Sequence, residues 1–202
     1  MVSAIVYKHL NQIKQHDLAT YRHCQRVANI SISIGEGLTL DQSTLKSLCH
    51  SALLHDLGKV GISKEILNRG EKLTLQEWDI IRQHPVTGAS MIQGEKTISG
   101  DIVAGVLAHH ERWNGKGYPY GLAGENIPLL SRIISVADAL DAMISARPYR
   151  RRPLSIDEAI SEIQSLSGQQ FDPYIACSLK TACFFKHNTA EFLLKRDLRR
   201  LQ

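Results

Sequence analysis

Apolar positions recur at helical spacing along most of the chain. Val27, Ile30 and Ile34 make one stripe, and Leu45, Leu48, Cys49 and Ala52 make another. Ile102, Val103, Val106 and Leu107 predict a further helix, and residues 131–146 read as a mostly apolar, hence buried, one. Two helix starts are marked. Thr74 with Glu77, and Ser155 with Glu158, have the spacing of a capping box, and Leu73 and Trp78 hold the staple positions of the first. No alternation of period two, internal repeat or low-complexity tract interrupts this pattern, so the expected fold class is all-α, a single compact helical domain. Residues 113–128 break the rhythm with Gly115, Gly117, Gly121, Gly124, Pro119 and Pro128. A loop of this length in a compact domain is usually functional or disordered. Its aromatic and apolar content predicts an ordered lid over a site.

Polar residues stand in phase with the apolar ones. His23 is in phase with Val27, Ile30 and Ile34. Asp56, preceded by His55, continues the Leu45–Ala52 stripe. His84 is in phase with Ile80 and Met91, His109 with Ile102 and Val106, His110 with Val103 and Leu107, and Asp138 with Ile134. Any one of these reads most simply as a hydrogen-bonded core residue. Neighbours on a helix diverge by about 100°, so His109 and His110 can share one ion only where the helix ends. Collectively, five histidines and two aspartates on apolar faces of one small core demand more. Buried ionised groups are costly unless paired or bound to metal. Neutral imidazole and carboxylate are natural ligands of a divalent cation.

Composition narrows the classes. The 202 residues are 43% hydrophobic and 22% charged, with a net charge of +4, as expected of a globular protein. The mild positive charge suits an anionic ligand and gives no sign of a nucleic-acid polymer as partner. No apolar run is long enough for membrane insertion, and the N-terminus lacks a leader pattern, so a cytoplasmic location is expected. Cys24, Cys49, Cys177 and Cys183 form no CxxC pair and read as reduced, mostly buried thiols.

At His55-Asp56-Leu57-Gly58-Lys59 the sequence resembles the HD phosphohydrolase superfamily, and over residues 19–180 it resembles its HD-GYP branch. The matching stretches are HCQRV at 23–27, HDLGKVGI at 55–62, KLT at 72–74, HP at 84–85, HHERWNGKGYPYGLAGENIP at 109–128, SRIISVADALDAM at 131–143, RPYR at 147–150 and FDP at 171–173. Each piece is weak alone; their order and spacing together are highly specific. Residues 1–18 are then a helical lead-in, and residues 181–202 a basic amphipathic C-terminal helix or tail, suited to packing on the domain or on a dimer partner.

The resemblance implies a phosphodiesterase acting on a cyclic dinucleotide, cyclic di-GMP first, giving linear pGpG and in some cases GMP. Its metal ligands match His23, His55, Asp56, His84, His109, His110 and Asp138. Asp56 would bridge two divalent ions, iron or manganese, with His23, His55 and Asp138 on one and His84, His109 and His110 on the other. A bridging hydroxide would attack phosphorus, since two metals can activate water and clamp both oxygens of the displacement. Asp56 and Lys59 are thus the catalytic candidates, with Lys59 also reaching the phosphate or leaving oxygen. On its residue type alone, Lys59 also reads as a helix-end charge. The resemblance makes Arg147 and Arg150 phosphate ligands, leaves Arg151 and Arg152 as surface, and puts Gly117, Tyr118 and Pro119 against the substrate. Tyr118 is open to packing on a base, bonding a phosphate or anchoring the loop.

Two departures stand out. Ala19 occupies the position where some members place a Glu for a third ion, which favours two metals, and Asn114 stands where Asp is frequent. Two other readings remain: a phosphohydrolase acting on another nucleotide such as cyclic GMP-AMP, and a non-catalytic module that binds a cyclic dinucleotide. No sensor or receiver region precedes the matched segment in this sequence, so either the protein stands alone or a regulatory part lies outside this chain; a homodimer or a regulatory partner protein stays open.

Overall fold

The computed structural model describes residues 2–70, 72–145 and 152–179. These form α1 (Val2–His16), α2 (Leu18–Gly37), α3 (Gln42–Leu54), α4 (Lys64–Leu67), α5 (Leu75–Arg82), α6 (His84–Gln93), α7 (Gly100–Leu107), α8 (Leu129–Ile144), α9 (Ile156–Ser165) and α10 (Pro173–Ser178), with short 3-10 turns at Leu57–Gly61 and Gly124–Asn126. Among the described residues no sheet forms; β pairing is limited to isolated bridges, Asn114 with Ala123 and Ser167 with Phe171. The expected all-α class holds. No helix among them is long and apolar enough to cross a membrane.

Local chemistry sets the helix starts. Both capping boxes form, Thr74 with Glu77 and Ser155 with Glu158. Asp17 caps α2 by accepting from the Thr20 amide at 2.7 Å, and Asp41 caps α3 through the Ser43 amide at 2.8 Å. Such a cap contributes about 1 kcal/mol. The helices then pack around α2, which lies against α3 and α8, while α7 lies between α3 and α8 and α6 lies on α7. Val27 and Ala28 of α2, Leu48 and Ala52 of α3, and Ile133 and Ile134 of α8 are fully buried at this junction. The lead-in helix α1 buries Val6, Leu10 and Ile13 in the same core.

The periodicity misplaces two features. Asp56 does not continue the α3 stripe, because α3 stops at Leu54 and a 3-10 turn begins at Leu57. His84 does not share a helix with Ile80; α5 ends at Arg82, a new helix opens at His84, and Ile80 is 46% exposed. Pro85 accounts for the break, since proline fits the first turn of a helix and not its interior. Of the described cysteines, Cys24 and Cys49 are buried and unbridged, but Cys177 is exposed on the short helix α10. Arg147, Arg150, Arg151, Cys183 and the basic amphipathic stretch 181–202 lie outside the described residues. Arg152, read as surface, is exposed and pairs with Glu158 at 2.9 Å.

Candidate metal centre

Five elements converge on Asp56. His23 comes from the middle of α2 and Asp138 from the middle of α8. The others sit where helices end: His55 just after α3, Asp56 ahead of its 3-10 turn, His84 at the first position of α6, and His109 and His110 just past α7. Leaving the helix at Leu107 lets the adjacent pair converge, with ring centroids 4.1 Å apart. A close backbone approach brings His84 in. A Cβ on Gly58 would collide with the His84 carbonyl and the Gly88 amide, so only glycine lets the 3-10 turn lie against α6.

The helix ends also orient the rings. Nδ1 of His55 donates to the Ala52 carbonyl at 2.8 Å, that of His84 to Ile81 at 2.7 Å, and that of His109 to Val106 at 2.6 Å. Carbonyls in a last helical turn lack an intrahelical partner and are free to accept. A carbonyl only accepts, so Nδ1 carries the proton and Nε2 turns its lone pair inward. His23 solves the same problem differently. Its Nδ1 lies 2.7 Å from Oδ2 of Asp141, whose carboxylate is also held by Arg26 at 2.6 and 2.9 Å.

The two oxygens of Asp56 face different groups. Oδ1 is 3.3 Å from His84 Nε2; Oδ2 is 3.5 Å from His55 Nε2 and 3.7 Å from His23 Nε2. His23 Nε2 is 3.0 Å from Asp138 Oδ1. Donor atoms of His84, His109 and His110 gather within 4.8 Å of one another on one side, and those of His23, His55 and Asp138 on the other. This arrangement fits cations. The Nε2 atoms of His84 and His109 are 3.2 Å apart, with lone pairs facing once both Nδ1 atoms donate to carbonyls. The buried His55 Nε2 has no hydrogen-bond partner. A buried acceptor left unpaired is costly, and a bound cation would satisfy both. HD-domain phosphohydrolases as a class are metal-dependent, and clusters of this composition suit that chemistry.

Protonation of His84, His109 and His110 agrees with a ligand role. Burial pushes the pKa of His84 down to about 3 and that of His110 to about 4, and drives His109 well below the usual histidine range. All three are neutral at pH 7. Burial opposes charge on Asp56, yet Lys59, then His55, His84 and His23, hold its carboxyl well below the usual carboxylate range. Lys59 Nζ lies 2.7 Å from Asp56 Oδ2, one 3-10 turn along. His23 is also desolvated, but hydrogen bonds to Asp138 and Asp141 raise its pKa to about 9.

The 113–128 loop folds back onto this cluster. The Tyr118 ring stacks on His110 at 4.8 Å with 28° between planes, and the Arg82 guanidinium lies 5.7 Å from the Tyr118 centroid. A Cβ on Gly117 would strike the backbone of Glu111 and Arg112, so the loop can fold this tightly only with glycine there. Two cavities flank Asp138. One, of about 330 Å³, runs beneath Arg82, Gly117 and Tyr118; the other, of about 550 Å³, opens past Lys59, Arg26 and Arg69.

Two residues here, Asp141 and Glu111, carry no motif mark of their own in the sequence. Asp141 lies one turn beyond Asp138 and is wholly buried. Glu111 is buried and anchors the loop by accepting from the Tyr120 amide at 2.7 Å and the Leu122 amide at 3.0 Å. Cys24 sits with its sulfur near His55 and Asp56. Burial, reinforced by Asp56, pushes its thiol pKa well up, so it stays protonated and is a poor metal ligand.

The pattern of the HD domain family matches residues 8–175. A cyclic di-GMP phosphodiesterase of Thermotoga maritima is 38% identical over 82% of this chain and 45% of its own length. A 3'3'-cGAMP-specific phosphodiesterase of Vibrio cholerae is 32% identical over 84% of this chain and 32% of its own length. The chain therefore spans less than half of either relative. A crystal structure of a cyclic GMP-AMP-specific phosphodiesterase from V. cholerae shares the fold, with a TM-score of 0.68 at 23% identity over 96% of this chain and 53% of that one. The motif order, the helical fold and these likenesses agree that the chain belongs to the HD domain family, in its HD-GYP branch.

Proposed function

We propose that the chain is a metal-dependent phosphodiesterase that opens a cyclic dinucleotide, with cyclic di-GMP as the first candidate. The observation that carries this reading is the cluster around Asp56, where lone pairs on His84, His109 and His55 face inward without a proton to share. His84, His109 and His110 would hold one divalent ion and His23, His55 and Asp138 a second, with the Asp56 carboxylate placed to serve both. A donor set of nitrogen and oxygen suits iron or manganese. Bound ions would neutralise phosphate charge and bring the pKa of water toward 7.

The remaining groups act on the substrate. Lys59 stands beside Asp56 at the larger cavity, where its ammonium meets a phosphate oxygen or the departing ribose oxygen. The two cavities on either side of Asp138 suit a ligand with two nucleotides, one in each. Gly117 and Tyr118 wall the smaller one, while Pro119 follows them in the loop and lines neither cavity. Arg147 and Arg150 follow α8 and supply guanidinium forks to phosphate. The unbridged buried thiols of Cys24 and Cys49 suit a reducing compartment, and we place the activity in the cytoplasm.

A second substrate, cyclic GMP-AMP, is favoured by the Vibrio cholerae relatives named for it. Manganese- or iron(II)-loaded protein incubated with each dinucleotide, with products separated by chromatography, tests the proposal. Conversion of cyclic di-GMP to linear pGpG is expected. Recovery of both dinucleotides intact would overturn the enzymatic reading and leave a binding module.

A further inference from the structure

We propose that Asp141 and Arg26 are a positioning pair that fixes the orientation of His23 and sets how tightly this side of the cluster holds its ion. The inference rests on the two-ion reading above.

The need for such a pair follows from where His23 lies. The rings of His55, His84 and His109 stand next to helix ends and borrow a last-turn carbonyl to hold Nδ1. His23 is mid-helix in α2, where backbone carbonyls are already engaged in the helical ladder. A side chain from a neighbouring helix must serve instead. Asp141 does so from α8, one turn beyond Asp138, so one face of α8 presents one carboxylate to each nitrogen of the same ring. Nδ1 lies 2.7 Å from Asp141 Oδ2, and Nε2 lies 3.0 Å from Asp138 Oδ1.

A buried carboxylate needs its own partners. Asp141 has them: the Arg26 fork, Nε at 2.6 Å and Nη2 at 2.9 Å, and the Ser145 hydroxyl at 3.3 Å. Arg26 is one turn along α2 from His23, so α2 supplies both the ring and the counter-charge. A carboxylate behind an imidazole fixes its tautomer and makes the outward nitrogen a stronger donor than a carbonyl would. His23 should therefore be the firmest nitrogen ligand of its cluster, through Nε2. The competing explanation is a plain ion pair that ties α2 to α8 and does nothing to a metal.

Titration of metal-free protein with manganese(II), following free ion by electron paramagnetic resonance, separates the two. Wild type should take up two ions. Asp141→Asn keeps the shape and should weaken one uptake step by about 10–100-fold, the usual effect of losing such a partner, with the other step unchanged. A purely structural pair predicts a lower Tm in chelator and two unchanged steps, and that result overturns the proposal. Wild type that binds no manganese overturns the two-ion reading and this one together. Should Asp141→Asn fail to fold, nitrogen NMR of wild-type His23 decides. Nδ1 should carry the proton and Nε2 should shift on zinc(II) addition; a zinc-induced shift at Nδ1 contradicts the assignment.

Discussion

Tyr118 stacks on His110, with ring centroids 4.8 Å apart and planes 28° from parallel. One side chain of the loop thus braces a residue of the cluster and also walls the cavity beside it. Bracing matters for any ester, whereas the wall matters only for a substrate large enough to reach it. Tyr118→Ala is therefore expected to lose more kcat/KM on cyclic di-GMP than on bis(p-nitrophenyl) phosphate. Steady-state kinetics of the same variant on both substrates provide the check, and equal fold-losses would reduce Tyr118 to a brace.

Asp56 is the residue whose loss should do most damage to the cluster. Its two oxygens face opposite histidine groups, His84 at 3.3 Å and His55 at 3.5 Å. Without that carboxylate, two cations held by these groups would repel with nothing between them. Asp56→Ala should abolish hydrolysis and sharply lower metal content while circular dichroism keeps its helical signal. Surviving activity in a folded variant would remove Asp56 from the bridging position.

Acid should destabilise the protein in chelator. The pKa of His84 is about 3 and that of His110 about 4 in the fold, both lowered first by burial, against about 6.5 in an unfolded chain. Between these values the unfolded chain binds more protons, so stability is lost as pH falls below about 6.5, by roughly 1.4 kcal/mol per pH unit for each such group. His23 works in the opposite direction at the other end. With its pKa raised to about 9, its contribution is full below about 6.5 and lost as pH rises through 9. Tm in chelator should peak near neutrality and drop between pH 7 and pH 5. A flat or rising Tm over that interval would contradict the buried, neutral cluster.

How legible was this in the sequence? His23 and Asp138 sit mid-helix, and their phase with Val27 and Ile134 correctly turns them inward. Phase fails for Asp56 and His84 because helices stop at Leu54 and Arg82, and a stripe continued across a helix end has no meaning. Residue type and motif order still single them out. The difficulty raised by adjacent His109 and His110 pointed to a helix end, and α7 does end there. Asp141 and Arg26 each lie one turn from a marked residue, Asp138 and His23, yet carry no motif signal of their own. A second carboxylate on the apolar face of α8 was the available signal. Glu111 was hidden by its neighbours, since a charged residue beside a glycine-rich loop reads as exposed, whereas here it is buried under two loop amides.

Arg147 and Arg150 should bind phosphate and leave the metals alone. Guanidinium groups stay charged and are repelled by cations unless an anion lies between. Alanine at either position should raise KM or lower kcat on cyclic di-GMP with metal content per chain unchanged. Unaltered kinetics in both variants would return the pair to ordinary surface charge.

The central claim is that seven side chains, His23, His55, Asp56, His84, His109, His110 and Asp138, hold two ions. Elemental analysis of protein purified without chelator and then saturated with iron(II) or manganese(II) addresses it directly. With Ala19 offering no third carboxylate, the account predicts two ions per chain. A saturated chain that holds one ion, or three, would contradict it.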